Sequence, residues 1–305
     1  MTANTQPVPL RSSDLRSSHV AIVGLGLMGG SLAAALKARQ ACAAVTGIAR
    51  RPATIEAASR LGYIDHGTTD LAAVAEADIV ILATPVRTIL STLPDLAPLL
   101  PPGCLLMDLG STKGRIAQAM NALPEQVHPC PAHPMCGKEV AGLEAADPDL
   151  YEGKTFVLTP LLRTPPAAVA RAEELARAVG AVPRRLDPRR HDRLVAVGSH
   201  LPYLLALGLV ATAEEVGRED CLLWDVVASG FRDTSRLAAS DVQMMLDVLM
   251  TNSAAIAEAI DRFREQLDAV ERLLVAGDEA ELQRAMQAAA IRRSAAFRAR
   301  PQQAP

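Results

Sequence analysis

Apolar positions in the first half of the chain come in short continuous runs, separated by stretches with helical spacing. Val20-Ala21-Ile22-Val23 reads as a strand and Leu27–Lys37 as a helix. Ala44–Ala49, Ala77–Ala83, Leu105–Asp108, Val127–Ala132 and Thr155–Leu158 read as further strands. Runs without polar alternation belong to strands covered on both faces, and their alternation with helices predicts a doubly wound, mostly parallel α/β sheet.

After Pro183 the pattern changes. Residues 189–217, 219–229, 234–249 and 252–297 read as helices, the last with an apolar stripe at Ile256, Ile260, Phe263, Leu267, Val270 and Leu274. The expected organisation is a polar, mobile tail over 1–18, an α/β domain over 19–186 and an all-helical domain over 187–305. The twenty residues Leu194–Ala213 contain no Asp, Glu, Lys or Arg. Ser199, His200, Pro202 and Tyr203 interrupt them, so the expectation is a helix buried on all sides rather than a membrane span.

Composition narrows the class. With 31 Lys plus Arg against 34 Asp plus Glu and 3% aromatics, the chain has neither the charge nor the stacking surface for nucleic acid. Five scattered cysteines are not a disulfide framework, and residues 1–18 hold no secretory signal, so a cytoplasmic location is expected.

Gly24-Leu25-Gly26-Leu27-Met28-Gly29 follows a strand and opens a helix, the context a dinucleotide fingerprint requires. The three glycines serve the tight turn, the approach of the pyrophosphate and helix–strand packing. At the end of the second strand an acid would hold the ribose 2′-hydroxyl of NAD. The chain has Ala49-Arg50-Arg51 there, and two guanidinium groups suit a 2′-phosphate, so NADP is expected ahead of NAD. Thr84-Pro85 falls where a loop lines the nicotinamide half of the crevice.

Three further segments carry candidate chemistry. His133 lies in a proline-stiffened run, His128–Gly137, whose spacing fits no common zinc pattern; an imidazole at the carboxyl edge of the sheet suits a proton acceptor. Ser111, in Asp108-Leu109-Gly110-Ser111-Thr112-Lys113, ends a strand at the same edge, where it can hydrogen-bond a substrate hydroxyl or cap the next helix. Arg232 and Arg236 are four apart on a helical segment and can clamp a carboxylate or form a solvated face.

Gly24–Gly29, Asp108–Lys113, His133-Pro134-Met135 with Gly137, His191-Asp192 with Ser199–Pro202, and Gly230–Arg236, in that order, resemble the prephenate and arogenate dehydrogenases of tyrosine biosynthesis. The resemblance spans about Val20 to residue 275. It implies a Rossmann domain followed by a helical dimerisation domain, NAD(P) as cofactor and a homodimer. It also implies oxidative decarboxylation of prephenate or arogenate, neither of them preferred. His133 would accept the ring hydroxyl proton, Ser111 would position that hydroxyl, and Arg236 would bind the side-chain carboxylate. Glu139 would gate the site and His200 would lie near the substrate. Tyr203 stands where many members have a second histidine, and Met245 where many have tryptophan. A β-hydroxyacid dehydrogenase shares a similar glycine turn but uses a lysine base in its second domain, and residues 189–250 contain no lysine. A non-catalytic NADP sensor would leave His133, Ser111 and Arg236 without a purpose.

Overall fold

A computed structural model describes residues 8–138 and 140–298. Six parallel strands form the main sheet: β1 (His19–Val23), β2 (Ala44–Ile48), β3 (His66–Thr68), β4 (Ile79–Leu82), β5 (Leu105–Asp108) and β6 (His128–Pro129). Their order is β3-β2-β1-β4-β5-β6, so the direction of winding reverses between β1 and β4. Helices α1 (Leu27–Ala38), α2 (Pro52–Arg60), α3 (Val86–Leu96) and α4 (Gly114–Asn121) alternate with these strands. The unbroken apolar runs have a simple cause. Val20 and Ile22 enter one core cluster while Ala21 and Val23 enter the other, and Ile79 and Ile81 likewise face away from Val80 and Leu82.

The run expected as one strand over Val127–Ala132 is two. His128–Pro129 pairs parallel with β5, whereas β7 (Ala132–Pro134) pairs antiparallel with β8 (Thr155–Leu158) in a second, three-stranded sheet. Pro129 and Pro131 have no amide to extend the first ladder, so the chain changes sheets there. The second sheet is completed by β9 (Val182–Arg185), parallel to β8. Strand character therefore continues past Pro183; the charged, exposed edge carrying Arg184 and Arg185 conceals it in the sequence. Helix α5 (Pro166–Ala178) joins β8 to β9.

Residues 8–18 are docked rather than loose. Leu15 is 2% exposed in the core, Arg171 donates to the Ser12 carbonyl and the Ser18 hydroxyl, and His128 Nε2 lies 2.7 Å from the Val8 carbonyl.

After β9 the chain turns helical with α6 (Pro188–Val195), passes through a π turn at Ala196–His200 and continues as α7 (Leu201–Glu219). Pro202 has no amide to give Gly198, and the wider turn falls where that bond is lost. By length and apolarity this run would pass for a membrane span, as core helices of globular proteins also do. Burial on all sides is not found. Leu194 and Val197 are more than half exposed within the single chain, because only one face of the helix meets the rest of the unit. Short helices α8 (Leu223–Val226) and α9 (Ser229–Ser235) and a 3-10 turn at Arg236–Ala239 follow, then α10 (Val242–Thr251).

By packing, the described residues up to Asn252 form one compact unit and those from Ser253 a second. The second unit is a helical hairpin, α11 (Ser253–Ala276) and α12 (Glu279–Arg298). The single helix expected over 252–297 breaks at Gly277, whose φ of +64° ends α11. Asp278 then accepts the Glu281 amide at 3.0 Å.

Candidate active site

The fingerprint loop sits at the point where strand order reverses, the usual ligand crevice of an open α/β sheet. Gly24 has φ of +104°, and a Cβ there would lie 2.8 Å from Thr84 Cγ2 and 2.9 Å from the Ala83 carbonyl. Gly29 is tighter still, because a Cβ would meet the Gly24 oxygen at 1.9 Å. Gly26 differs, since a Cβ there would meet no atom within 4 Å. Two glycines thus close the turn and the third leaves a bare backbone above the N-terminus of α1. No side chain caps that end, so its amides point outward as a phosphate cradle requires. Thr84 Oγ1, just beyond β4, is buried with no hydrogen-bond partner. A bare helix end and an orphaned hydroxyl across the crevice fit a dinucleotide.

Ala49 is tied back to β3 through its amide and the Thr68 oxygen at 3.2 Å. Arg50 and Arg51 follow it on the surface, at the start of α2. Pro85 is exposed at the start of α3.

His133 is held from the strand beside it. Asp108, at the end of β5, accepts the Ala132 amide at 3.1 Å and the Gly110 amide at 2.8 Å. The Lys113 ammonium binds Asp108 and donates to the Ala132 carbonyl at 2.6 Å. Both charged side chains are fully buried. Burial alone would neutralise either, and each is offset by the other and by backbone partners. Both backbone groups of Ala132 are therefore taken, which sets the position of the next residue.

The His133 ring meets α6. Its Nδ1 lies 2.9 Å from His191 Nε2, and His191 Nδ1 lies 2.8 Å from Asp192 Oδ1. Asp192 in turn accepts the Lys113 and Gly114 amides, each at 2.7 Å. This carboxylate caps α4, whose own N-cap residue supplies no side-chain bond. Ser111 therefore does not cap the helix, nor does it bond His133. It is half-buried and makes no hydrogen bond among the described residues.

His200, at the end of the π turn, is 2% exposed. The Asn252 amide donates to the Asp192 carbonyl at 2.9 Å and faces His200 Nδ1 at 3.2 Å. The first contact orients the amide, so His200 Nδ1 accepts and its proton sits on Nε2. Burial holds His200 down to about 4 and, together with His191, Lys113 and His200, keeps His133 well below the ordinary histidine value. Both rings are neutral at pH 7.

The other expected site residues come from different elements. Tyr203 packs in the core with Met245 and Val248, so the two departures from the common family pattern share one cluster. Arg232, on α9, and Arg236, at the following turn, are exposed on a segment that packs against α7. Glu139 lies outside the described residues. Lys113, His191, Asp192 and Asn252 carry more of the site than the sequence suggested. The adjacent His191-Asp192 pair was a visible signal, but its partners are 58 and about 79 positions away. Among the described residues, no three His, Cys, Asp or Glu side chains gather to hold a metal.

The chain matches two family models: the nucleotide-binding domain of prephenate dehydrogenase over residues 32–184 and its dimerization domain over 187–288. Bacillus subtilis prephenate dehydrogenase is 33% identical over 86% of this chain and 71% of its own. Zymomonas mobilis cyclohexadienyl dehydrogenase is 31% identical over 85% and 89%. Among solved structures, an A. aeolicus prephenate dehydrogenase in complex with hydroxyphenyl propionate and NAD+ superposes with a TM-score of 0.85, at 32% identity, covering 91% of this chain and 97% of that one. Synechocystis arogenate dehydrogenase gives 0.81 at 30%, covering 90% and 99%. A 3-hydroxyisobutyrate dehydrogenase from Salmonella typhimurium, at 18% identity and 0.56, shares the fold alone. The two family models follow one another along the chain, nucleotide-binding domain first, and with these likenesses the chain belongs to the prephenate dehydrogenase family.

Proposed function

We propose that this protein catalyses the oxidative decarboxylation of prephenate, arogenate or both, in the formation of tyrosine. NADP is the preferred hydride acceptor and NAD the second candidate. The observation that carries the reading is His133: an imidazole on β7 whose preceding residue is tied to Asp108 at the carboxyl end of β5, held neutral and engaged through Nδ1 with His191.

The bare amides at the start of α1 and the backbone at Gly26 would hold the pyrophosphate, with Thr84 and Pro85 beside the nicotinamide. Arg50 and Arg51 would take the 2′-phosphate of NADP. When bound, the oxidised coenzyme supplies the hydride acceptor. His133 takes the proton of the C4 hydroxyl as hydride leaves C4, and Ser111, with an uncommitted hydroxyl, orients that oxygen. The ring carboxylate departs as carbon dioxide, its electron pair completes the aromatic ring, and the proton returns to the oxygen. Aromatisation drives the reaction, so the protein's task is to orient the partners and place a base. A firm grip on the departing carboxylate would stabilise the ground state. Arg236 is therefore assigned the other carboxylate, on the side chain, with Arg232 in support and His200 near the ring. Glu139 is assigned to gate the entrance.

A homodimer accounts for the apolar residues left open on the helices, among them Leu194 and Val197. The deciding assay offers prephenate and arogenate in turn with NADP and NAD and follows reduced nicotinamide. Reduction in at least one of the four mixtures is expected; none in all four overturns the reading.

A further inference from the structure

We propose that Asp192 and His191 are positioning residues that dictate the tautomer of His133, leaving Nε2 as the lone pair that faces the substrate. The inference rests on the reading of His133 as the proton acceptor.

An ionised carboxylate can only accept. Asp192 Oδ1 already accepts the Lys113 amide and Oδ2 the Gly114 amide, so its orientation is locked by the start of α4. At 2.8 Å from Oδ1, His191 Nδ1 must be the donor. A neutral His191 with its proton on Nδ1 has only a lone pair on Nε2. That lone pair lies 2.9 Å from His133 Nδ1, which must then carry the proton of the second ring. The remaining nitrogen, His133 Nε2, is left unprotonated, as a general base requires. In water a free imidazole prefers the opposite tautomer, with Nε2 protonated and unable to act. The relay is thus an ordering device that costs no charge.

The surroundings of His133 favour its neutral form. His191 is 1% exposed and Asp192 6%, and burial together with His191, Lys113 and His200 keeps His133 well below the ordinary histidine value. A second positive charge among them would be costly. The arrangement has the logic of a serine-protease triad, where the acid orients an imidazole without taking its proton. Here two imidazoles stand in series behind the acid, and no nucleophile is needed.

The test begins with the unmodified protein. Long-range 1H–15N correlation spectra of the full chain, labelled at histidine nitrogen and recorded at neutral pH, report which ring nitrogens carry protons. His133 is recognised by its loss in His133→Asn. His133 and His191 are both expected to be protonated at Nδ1 only. A His133 ring protonated at Nε2, or a doubly protonated His191, overturns the inference. In Asp192→Asn the amide can donate to His191 Nδ1 and reverse both rings. The expected result is a switch of His133 to Nε2–H, with kcat for the preferred cyclohexadienol lower by about 100-fold or more and KM changed by less than about threefold. A rate loss without the switch, or a switch without the rate loss, overturns it. Should that variant not fold, the spectrum of the unmodified protein still decides. The two readings fail separately. A His133→Asn enzyme that keeps its kcat overturns the base assignment itself, whereas an inactive His133→Asn beside an Nε2–H ring in the unmodified protein overturns the relay alone.

Discussion

The Lys113 ammonium donates to the carbonyl of Ala132 at 2.6 Å while bound to the Asp108 carboxylate, and the residue after Ala132 is His133. A fully buried ion pair therefore clamps both backbone groups at the entrance to β7. Removing Lys113 leaves the Asp108 carboxyl buried without its counter-ion. Lys113→Met is expected to destabilise the fold by about 3–5 kcal/mol, read from the urea midpoint. An effect below about 1 kcal/mol would show that the pair is dispensable.

The fingerprint glycines separate folding from coenzyme binding. In Gly29→Ala the new methyl would stand 1.9 Å from the Gly24 oxygen, a backbone atom that cannot swing away. Loss of the folded state, or a drop in Tm of more than about 10 °C, is expected. Gly26→Ala meets nothing within 4 Å, so its Tm should be close to that of the unmodified chain. Its coenzyme affinity should fall, because the methyl occupies the approach to the backbone. Calorimetry and fluorescence titration measure the two effects independently.

Arg236→Ala is expected to raise KM for the dicarboxylate substrate by roughly 10–100-fold, the worth of one charge-assisted hydrogen-bonded contact, with a smaller effect on kcat. Arg232→Ala should act in the same direction and more weakly. An unchanged KM in Arg236→Ala rejects the carboxylate assignment.

Stability should fall in mild acid for an identifiable reason. His200 titrates near 4 in the folded chain, and an unfolded histidine near 6.5. Between those values the unfolded state binds more protons, so the contribution is complete above pH 6.5 and is lost as pH falls through 4. At pH 5 the loss from this one ring is roughly 2 kcal/mol. His133 is depressed in the same sense and adds to it. Urea midpoints at pH 7.5 and pH 5 should differ less in His200→Gln than in the unmodified protein. An equal difference would show that His200 does not carry the effect.

Catalysis has the same sign at His133. Its depressed titration keeps the ring neutral at pH 7. The acid limb of kcat/KM is expected below pH 6.5; a limb above 7 contradicts a base held neutral at that pH.

What could be read along the chain was local. Continuous apolar runs gave β1, β2, β4 and β5 because each buries residues in two different clusters, whereas the short, largely exposed β3 (His66–Thr68) carries no such run and was not legible. The glycine spacing gave the dinucleotide loop because its requirements, a positive φ and a 1.9 Å approach, lie within six residues. Edges were harder to see. The strand at Val182–Arg185 carries charge because it is an edge, and the two-residue β6 gives way to β7 at a proline.

Whatever depends on distant residues was decided only by folding. The identity of His133 as a candidate base was visible, but its tautomer depends on Asp192, which is locked by amides about 79 positions away. Ser111 could have capped the next helix as well as met a substrate hydroxyl, and the cap comes from α6 instead. Sequence pattern reports which groups can bury or bond, and that is enough for elements and for short motifs. A proton's place on an imidazole depends on which atoms face it across the fold, and only the packed chain brings those atoms together.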